Sequence, residues 1–324
     1  MILDPYQLHV EISSRCTLRC PRCPRTEMRP ETLNRDITVD QFRQAFSPAL
    51  LEQVGYLLFC GDIGDPIYNN DLVEIVRYIK ESSPGTSVAI VTNGSYKPER
   101  WWQELGAVLT AHDRVTFSVD GWDQASNEQY RVNSDWDSII TGIKTLKAHS
   151  DVSLIWSTIR FAFNEQRIGR IREIAENIGV HQFAVVNSTK FGSMDARYLN
   201  EDGVDPMEPN DATNTRVYTI NRESIGRGRL IPMGRVTHDR HPWANCLRGD
   251  QRIFIGVDGS VSPCAWFGSK YMDNEFVEKY RDRLNIKTRN LQDILEDPCW
   301  EEFMVRLEML PLPICKLKCV PNGQ

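Results

Sequence analysis

Six short apolar runs alternate with amphipathic stretches over the first 190 residues, and this alternation constrains the fold more than any other feature. Each run is rich in β-branched or aromatic residues and ends in turn-forming residues, which is typical of β-strands. We predict strands at 7–12, 55–60, 87–91, 114–119, 153–159 and 182–187. Helical periodicity predicts helices near 38–53, 70–82, 98–109, 135–148 and 164–178.

Three local signals indicate where these helices begin. Thr38 and Gln41 have the spacing of a capping box, in which each side chain bonds the other residue's backbone N–H. Pro98 suits the first position of a helix, where a missing N–H has no consequence. Asn164 is of a residue type preferred at the N-cap.

Repeated β–α alternation predicts a parallel sheet with right-handed crossovers. Because the pattern stops at six strands, we expect an α/β fold of the partial (β/α)6 barrel kind rather than a closed eight-fold barrel. A doubly wound sheet is the alternative. In both architectures the chemistry belongs at the carboxyl ends of the strands.

The chain divides by composition into three parts. Residues 1–190 are the predicted barrel, and residues 191–245 are a connector with many Gly, Pro, Asp and Asn residues and little regular structure. Residues 246–324 form a second module. Its predicted elements are a hairpin of 252–257 and 260–266 around an Asp258-Gly259 turn, and a helix near 290–309.

Charge and hydropathy limit the possible partners. The net charge of −6 argues against a protein coated in basic surface for nucleic acid. The amino terminus lacks a basic region followed by an apolar stretch, and no apolar run reaches the ~20 residues that span a bilayer. We therefore expect a cytoplasmic protein with no membrane partner. Its nine cysteines are then expected to be reduced, and tight clusters of them favour metal binding.

The first cysteine cluster is Cys16-Thr-Leu-Arg-Cys20-Pro-Arg-Cys23, directly after the first predicted strand. Three thiolates at this spacing can hold one corner of an iron–sulfur cubane and leave the fourth iron without a protein ligand. Zinc is the alternative because thiolates also select zinc. A structural zinc site needs four closed ligands, however, and no fourth Cys or His follows nearby.

The C-x3-C-x2-C loop after the first strand of a six-fold β/α array resembles the signature of the radical SAM superfamily. The resemblance implies a 4Fe–4S cluster on Cys16, Cys20 and Cys23 whose open iron binds S-adenosylmethionine (SAM). One electron then splits the sulfonium to give a 5′-deoxyadenosyl radical, which takes a hydrogen atom from the substrate.

Further motifs at consecutive strand ends carry the same resemblance. The loop Gly61-Asp-Ile-Gly64-Asp65-Pro66 stands where the family has a Gly-Gly-Glu-Pro motif for the methionine amino group, with Asp65 in place of Glu. Similar positions after strands three and four imply SAM contacts for Asn93, Ser118 and Asp120. Turn formation is the alternative role for these Gly and Asp residues.

Three positions depart from the family pattern or rest on position alone. Arg22 occupies the place before the third cysteine where relatives usually have an aromatic residue, and its guanidinium plane could still stack on adenine. Arg160, at the end of strand five, is predicted to meet the SAM carboxylate by position only. Asn187, at the end of strand six, is placed near adenine on the same basis.

The second cysteine set contains Cys246, Cys264, Cys315 and Cys319. By ligand count, four thiolates fit either zinc or a 4Fe–4S cluster. The arrangement resembles the auxiliary-cluster modules called SPASM and twitch, which begin with a cysteine, an Asp-Gly hairpin and a second cysteine. Because the chain lacks the longer cysteine run of SPASM, we expect a twitch-like module with one auxiliary 4Fe–4S cluster on these four residues.

Two cysteines lie outside the clusters. Cys299 falls on the apolar side of a helix, and we expect it to pack in the core. Cys60 ends strand two beside the SAM loop. It is a candidate catalytic residue that could donate a hydrogen atom, and its alternative role is packing at a strand end.

The connector suggests a substrate. From Arg216 to His241 it contains six arginines against Glu223 and Asp239, a local net charge of +4 that could follow a phosphate backbone. A solvated loop is the alternative. The Cys-Gly-x-x-Gly-Asp-Pro form of the second motif resembles that of many phage-encoded radical SAM proteins, some of which act in thymidine hypermodification.

These features lead to one substrate hypothesis with alternatives. We expect an isomerase that rearranges a glycine-decorated thymidine in DNA, working in the host cytoplasm if phage-encoded and reduced by flavodoxin or ferredoxin. The alternatives are modification of a ribosomally made peptide and dehydrogenation of a sugar-like substrate. A non-enzymic zinc-binding DNA module is a further alternative, and metal analysis would distinguish it.

Overall fold

The computed structural model describes residues 7–28, 34–188, 199–210, 216–219, 252–268, 275–309 and 315. The strands in these ranges are β1 (Gln7–Val10), β2 (Tyr56–Phe59), β3 (Ser87–Thr92), β4 (Arg114–Ser118), β5 (Ser153–Ile159), β6 (Gln182–Val186), β7 (Arg216–Thr219), β8 (Arg252–Ile255) and β9 (Val261–Ser262). The α-helices there are α1 (Pro24–Met28), α2 (Val39–Ala45), α3 (Pro48–Gln53), α4 (Leu72–Ser82), α5 (Glu99–Val108), α6 (Gln124–Asn127), α7 (Trp136–His149), α8 (Ile168–Ile178), α9 (Ala265–Gly268), α10 (Glu275–Lys279), α11 (Leu291–Leu295) and α12 (Cys299–Met309). None of these helices combines the length and the apolar character needed to cross a bilayer.

The chain forms two compact units whose boundary falls inside β3, after Ala89. The first unit comprises Met1–Arg15, Pro30–Ala89 and Arg229–Gln324. Its strands follow the order β3-β2-β1-β8-β9. β1 pairs in parallel with β2 and with β8, and β8 pairs antiparallel with β9. The pairing of β1 with β8 brings the predicted carboxyl-terminal module into the same unit as the first barrel strand.

The second unit comprises Cys16–Arg29 and Ile90–Gly228. Its strands follow the order β7-β6-β5-β4-β3. β4, β5 and β6 pair in parallel, and β7 pairs antiparallel with β6. β7 was not expected, because the sequence analysis assigns 191–245 to a connector with little regular structure. The domain boundaries at 190 and 245 stay a prediction.

The strands are built from apolar runs, which alternate with partly exposed residues in some strands and are continuous in others. In β1 and β5 buried and partly exposed residues alternate, as expected where the two faces of a strand meet different surroundings. Leu154 and Trp156 of β5 are fully buried. The six predicted strands are confirmed within one or two residues, and with them the α/β class in partial (β/α)6 order.

The helices differ from the predicted segments in specific places. The Thr38–Gln41 capping box is present. The segment 38–53 contains two helices, because Ser47 caps a new helix that has Pro48 at its first position. Pro98 is the N-cap of α5 rather than its first residue. Asn164 is the N-cap of a 3₁₀ turn, Glu165–Arg167, that leads into α8, but its side chain makes no cap hydrogen bond and instead bonds the backbone at the ends of β4 and β5.

The carboxyl-terminal residues contain the predicted hairpin in a shorter form. Gly259 has φ +87°, which a Cβ would strain, so glycine suits this turn. The helix predicted near 290–309 is two helices, α11 and α12, separated at Asp297-Pro298. A proline there ends a continuous hydrogen-bond ladder because it has no N–H to donate.

Candidate functional site

The first cysteine cluster lies in the second unit, in the loop that leads into α1. Cys20 is buried, whereas Cys16 and Cys23 are partly exposed, and none of the three is in a disulfide. The Cys23 N–H donates to the Cys20 carbonyl at 3.1 Å, and the Thr26 N–H donates to the Cys23 carbonyl at 2.8 Å. These turns fold the loop so that its three cysteines share one packing cluster.

The side chains of Leu18, Tyr130 and Phe161 form a buried apolar cluster, here called the floor, against which this loop packs. Leu18, Tyr130 and Phe161 are buried and pack with Cys20, and the rings of Tyr130 and Phe161 lie 4.4 Å apart. Burial raises the pKa of the Cys20 thiol to about 11, and Arg131 acts in the opposite direction. The floor therefore excludes water from one side of the cysteine loop.

Asp120 and Arg131 form a buried ion pair next to this floor. The Arg131 Nε lies 2.6 Å from Asp120 Oδ2, and the two side chains are 15% and 0% exposed. Asp120 Oδ1 accepts the Ile159 N–H at 2.7 Å. Burial raises the pKa of Asp120, while Arg131 opposes that shift. The predicted SAM contact of Asp120 stays a prediction, and the structure adds Arg131 as its partner.

Asn93 follows β3 and reaches the cysteine loop. Its Nδ2 lies 3.6 Å from the Cys16 Sγ, and its Oδ1 accepts the Ser95 N–H at 2.9 Å. Thr92 and Asn93 are both buried. The structure therefore places one predicted SAM residue against one predicted cluster ligand.

Arg22 has a partner that the sequence analysis missed. Its Nη2 donates to Asp205 Oδ1 at 2.5 Å, and the two side chains are 3% and 0% exposed. Asp205 Oδ1 also accepts the Met207 N–H, and Met207 packs against the cysteine cluster. The ion pair thus ties the segment 199–210 to the cysteine loop. No local signal in the sequence identifies Asp205.

The remaining predicted residues of this unit lie at the ends of β4, β5 and β6. Ser118 is the last residue of β4, opposite Ser157 in the ladder. Arg160 is buried, and its backbone N–H donates to the Val186 carbonyl at 2.9 Å. Asn164 Nδ2 donates to the carbonyls of Asp120 and Ile159, which joins β4 to β5 beside the site. Asn187 directly follows β6.

The Gly61–Asp65 loop, here called the glycine loop, belongs to the first unit and follows β2. A Cβ on Gly64 would lie 1.9 Å from the Ser13 carbonyl oxygen, and one on Gly61 would lie 2.1 Å from the Gly64 carbonyl oxygen. The Asp65 N–H donates to the Arg15 carbonyl at 2.9 Å. Only glycine allows so close an approach of two backbone segments. Pro66 then opens a short 3₁₀ helix that Asp65 caps.

The Glu11 side chain accepts hydrogen bonds from the backbone of the glycine loop, and Glu11 was not predicted as a site residue. Its Oε1 accepts the N–H of Ile63 at 2.6 Å and that of Gly64 at 3.1 Å. Burial raises the pKa of Glu11 to about 7, despite these hydrogen bonds. An acidic residue inside an apolar strand run was the available signal.

Cys60 lies between β2 and the glycine loop. Burial raises the pKa of its thiol to about 12, and the carboxylates of Asp65, Glu11 and Asp62 add to this shift. Its carbonyl oxygen lies 2.7 Å from His9 Nε2. The raised pKa favours the protonated thiol, which is the form that a hydrogen-atom donor requires. Its catalytic role stays a prediction.

The second cysteine set is described in part. Cys264 follows β9 and is partly exposed, and Cys315 is buried. Cys246, Cys319 and most of the basic segment from Arg216 to His241 lie outside the described residues. Cys299 is buried at the start of α12, as predicted for a core residue.

The donor set of the first loop fits an iron–sulfur cluster by its chemistry. Such clusters are held by Cys thiolates, and a cubane takes one cysteine per iron. Three cysteines of one loop, none of them in a disulfide, pack together beside an apolar floor and are compatible with three corners of a cubane.

Comparisons with known proteins address the same regions. The sequence profile described as "Radical SAM superfamily" matches residues 10–177, and that of the SPASM "Iron-sulfur cluster-binding domain" matches residues 246–320. The first match covers more than half of the chain. Radical SAM domains bind SAM and a 4Fe–4S cluster, and SPASM domains bind auxiliary iron–sulfur clusters.

Two relatives match most of the chain. A tungsten-containing aldehyde ferredoxin oxidoreductase cofactor-modifying protein of Pyrococcus furiosus is 30% identical over 322 residues, covering 94% of this chain and 85% of the relative. A probable GTP 3′,8-cyclase of Saccharolobus islandicus is 23% identical over 250 residues, covering 75% of this chain and 76% of the relative.

Solved structures share the fold. Streptococcus suis SuiB superimposes with a TM-score of 0.59 at 12% identity, covering 93% of this chain and 68% of SuiB. The enzyme anSMEcpe, with bound AdoMet and a Cp18Cys peptide, gives a TM-score of 0.56 at 14% identity, covering 96% and 85%. The sequence matches and the fold agree: the chain belongs to the radical SAM superfamily and carries a SPASM domain.

Proposed function

We propose that Cys16, Cys20 and Cys23 hold the 4Fe–4S cluster that binds SAM. The observation that carries this proposal is that three cysteines of one loop, none of them in a disulfide, pack together against a buried apolar floor. When bound, the cluster and SAM would supply a 5′-deoxyadenosyl radical that takes a hydrogen atom from the substrate. Asn93 donates towards the Cys16 sulfur and so orients the first ligand.

The Gly61–Asp65 loop is proposed to bind the methionine moiety of SAM. Gly61 and Gly64 let the loop lie against the backbone after β1, and Asp65 offers a carboxylate to the SAM amino group. The Pro66 ring fixes the backbone after it. Ser118 and Arg160 are the proposed contacts of the SAM carboxylate, because a hydroxyl and a guanidinium both donate hydrogen bonds.

Iron counting after anaerobic reconstitution tests the ligand assignment. We expect about eight irons in the wild type and about four in a Cys16/Cys20/Cys23 triple-Ala variant, since each cubane holds four. Only the wild type should form 5′-deoxyadenosine. Equal iron in both proteins would contradict the proposal, and zinc without iron would indicate the structural zinc alternative.

The auxiliary cluster is proposed to bind Cys264 and Cys315 together with Cys246 and Cys319. The SPASM match over residues 246–320 includes all four cysteines. Four thiolates close the coordination of a cubane, so this cluster would lack an open iron. Its twitch-like form, with one cluster, is part of the proposal.

For the substrate, we propose a glycine-decorated thymidine in DNA, rearranged by migration of the glycyl fragment from nitrogen to carbon. The basic segment from Arg216 to His241 supports a phosphate-backbone contact in an otherwise acidic chain. Such an enzyme must flip the base or act on deformed duplex. An isomerisation removes one hydrogen atom and returns one, so it needs no net oxidant.

Labelled DNA tests this substrate. With deuterium on the glycyl α-carbon, we expect label in 5′-deoxyadenosine and a steep loss of DNA affinity as salt rises. Absence of label transfer from duplex carrying that base would exclude the substrate.

The second candidate is modification of a ribosomally made peptide. SuiB has been solved with precursor peptide SuiA, and anSMEcpe with a peptide, on the same fold. In this case the connector would bind a leader peptide with little salt dependence. A sugar-like alcohol is the small-molecule alternative, and its oxidation would release a carbonyl product.

The proposed reductant is a flavodoxin or ferredoxin. Each carries one electron at a time, as reductive cleavage of SAM requires. Cytoplasmic location, in the host if phage-encoded, stays a prediction that goes with this partner.

A further inference from the structure

We propose that Glu11 determines which ligand group the glycine loop accepts: its side chain occupies the backbone N–H groups of the loop, so that the loop receives the ammonium group of SAM and not an anion. The inference deepens the proposed function and rests on the binding of the SAM methionine moiety by this loop. Glu11 contacts the loop and not the ligand, so its role is that of a positioning residue.

Two successive backbone N–H groups of the glycine loop converge on one oxygen of Glu11. Glu11 Oε1 lies 2.6 Å from the Ile63 nitrogen and 3.1 Å from the Gly64 nitrogen. Glu11 and Ile63 are only 4% and 5% exposed, so little water competes for these bonds. Successive N–H groups that point to a common centre form an anion-binding concavity called a nest. In this protein a side chain of the chain itself fills the nest.

The strand before Glu11 fixes its position. The Glu11 N–H donates to the Ile255 carbonyl at 2.8 Å, which continues the pairing of β1 with β8 by one residue. His9 lies two residues earlier and therefore on the same face of the strand. Its Nε2 donates to the Cys60 carbonyl at 2.7 Å. The chain that leaves β2 is thus bonded to β1 by His9 at Cys60 and by Glu11 within the glycine loop.

The close approach of two backbone segments keeps the loop against Glu11. A Cβ added to Gly64 would lie 1.9 Å from the Ser13 carbonyl oxygen. One residue later, the Asp65 N–H donates to the Arg15 carbonyl at 2.9 Å. The loop is therefore held on the chain that follows β1, and the nest stays closed over the Glu11 side chain.

The groups that remain for a ligand are hydrogen-bond acceptors. In a planar trans peptide the N–H and the C=O point in opposite directions, so the carbonyls of Asp62 and Ile63 point away from Glu11. Asp62 and Asp65 add two carboxyl groups to the same loop. An ammonium group has three donors and a positive charge, which suits these acceptors. An anion would need the N–H groups that Glu11 already occupies.

Two substitutions of Glu11 separate its hydrogen bonds from its charge. The measurement is the dissociation constant for SAM, by equilibrium dialysis of reconstituted full-length protein at pH 8. Glu11→Ala leaves two buried N–H groups without an acceptor and should raise the constant at least about tenfold. Glu11→Gln keeps an oxygen acceptor and should stay within about threefold of the wild type. Glu74→Ala removes a carboxylate from the exposed side of α4 and should bind SAM like the wild type.

Formate tests whether the nest itself is what Glu11 fills. It is a carboxylate without a side chain, so it can enter the space that Glu11→Ala opens. Added formate should restore SAM affinity in this variant by at least about threefold, because an anion that binds the SAM-competent loop stabilises it. Glu11→Leu fills the same space with an apolar group. Formate should change the affinity neither of that variant nor of the wild type.

Hydrogen exchange keeps the proposal testable if Glu11→Ala does not fold. In the wild type without SAM, the Ile63 and Gly64 amides should exchange at least about tenfold more slowly than the amide of Gly85, because their N–H groups are hydrogen-bonded in a buried place. Gly85 is exposed and gives the reference rate. Residue-resolved mass spectrometry measures all three. Equal rates would overturn the proposal, since the loop would then not be held before SAM binds.

The outcomes distinguish this inference from the proposed function of the loop. Loss of SAM affinity in Glu11→Ala, with retention in Glu11→Gln and recovery by formate, supports it. Unchanged affinity in Glu11→Ala overturns it, and so does an equal loss in both variants that formate does not reverse. Gly64→Ala supplies the comparison. If Gly64→Ala weakens SAM binding and Glu11→Ala does not, only this inference fails. If neither variant weakens it, the loop does not bind SAM and the proposed function of the loop fails.

Discussion

The buried carboxyl group of Glu11, which hydrogen-bonds the glycine loop, makes the stability of the folded state depend on pH. Its carboxylate accepts two backbone N–H groups of that loop, and burial raises its pKa from 4.5 to about 7. The folded state therefore binds the proton more tightly than the unfolded chain does. The resulting stabilisation is complete below pH 4.5 and is lost as pH rises through 7.

Replacing Glu11 with Gln should remove this dependence. Between pH 5 and 8, we expect the free energy of unfolding of the wild type to fall by about 2–3 kcal/mol relative to that of the Glu11→Gln variant. This magnitude follows because a pKa shift of one unit corresponds to about 1.4 kcal/mol. Urea unfolding at several pH values measures it. Glu74→Gln, at an exposed residue of α4, is the control and should keep the wild-type profile. Parallel profiles for wild type and Glu11→Gln would contradict the assigned pKa.

Among the elements, the strands with their following loops were the most predictable. The glycine loop after β2 has the residues that its close backbone approach requires, and Gly64 is the tightest point, 1.9 Å from an adjacent carbonyl for an added Cβ. The helix boundaries were less predictable, since Ser47-Pro48 and Asp297-Pro298 interrupt long amphipathic patterns. A hydrophobic period continues across such a break, whereas the hydrogen bonds do not.

Gly64→Ala should weaken SAM binding, because the loop must move away from Ser13 to admit the methyl group. We expect the dissociation constant for SAM to rise at least about tenfold, or about 1.4 kcal/mol. Equilibrium dialysis with the reconstituted protein measures it. Gly85→Ala meets no atom within 4 Å and should bind SAM like the wild type. Equal affinities in all three proteins would show that this loop does not contact SAM.

On the scale of the whole molecule, the carboxyl-terminal residues are not an isolated module. β8 pairs in parallel with β1, and both belong to the first compact unit. Pairing covers a strand that would otherwise present unpaired backbone groups at an edge. The SPASM domain is therefore built onto the first barrel strand through this pairing.

Replacing Cys264 should remove the auxiliary cluster and leave the first cluster in place. We expect Cys264→Ala to lose about four irons, the content of one cubane, and to keep the EPR signal of the first cluster. Cys299→Ala is the matched control, since Cys299 is buried in the core, and it should retain all iron. If both variants kept the wild-type iron content, Cys264 would not be a ligand.

The sequence by itself determined the α/β order, the cysteine loop and the glycine loop, because periodicity, turn residues and ligand spacing are local properties. It could not identify Glu11, Arg131, Asn164 or Asp205 as parts of the site. Each acts through a partner on another element, and two of these partners are far away in sequence: Asp205 lies 183 residues from Arg22, and Glu11 lies 52 residues from Ile63. Only tertiary structure brings such groups together, and burial then decides their charge and hydrogen bonding.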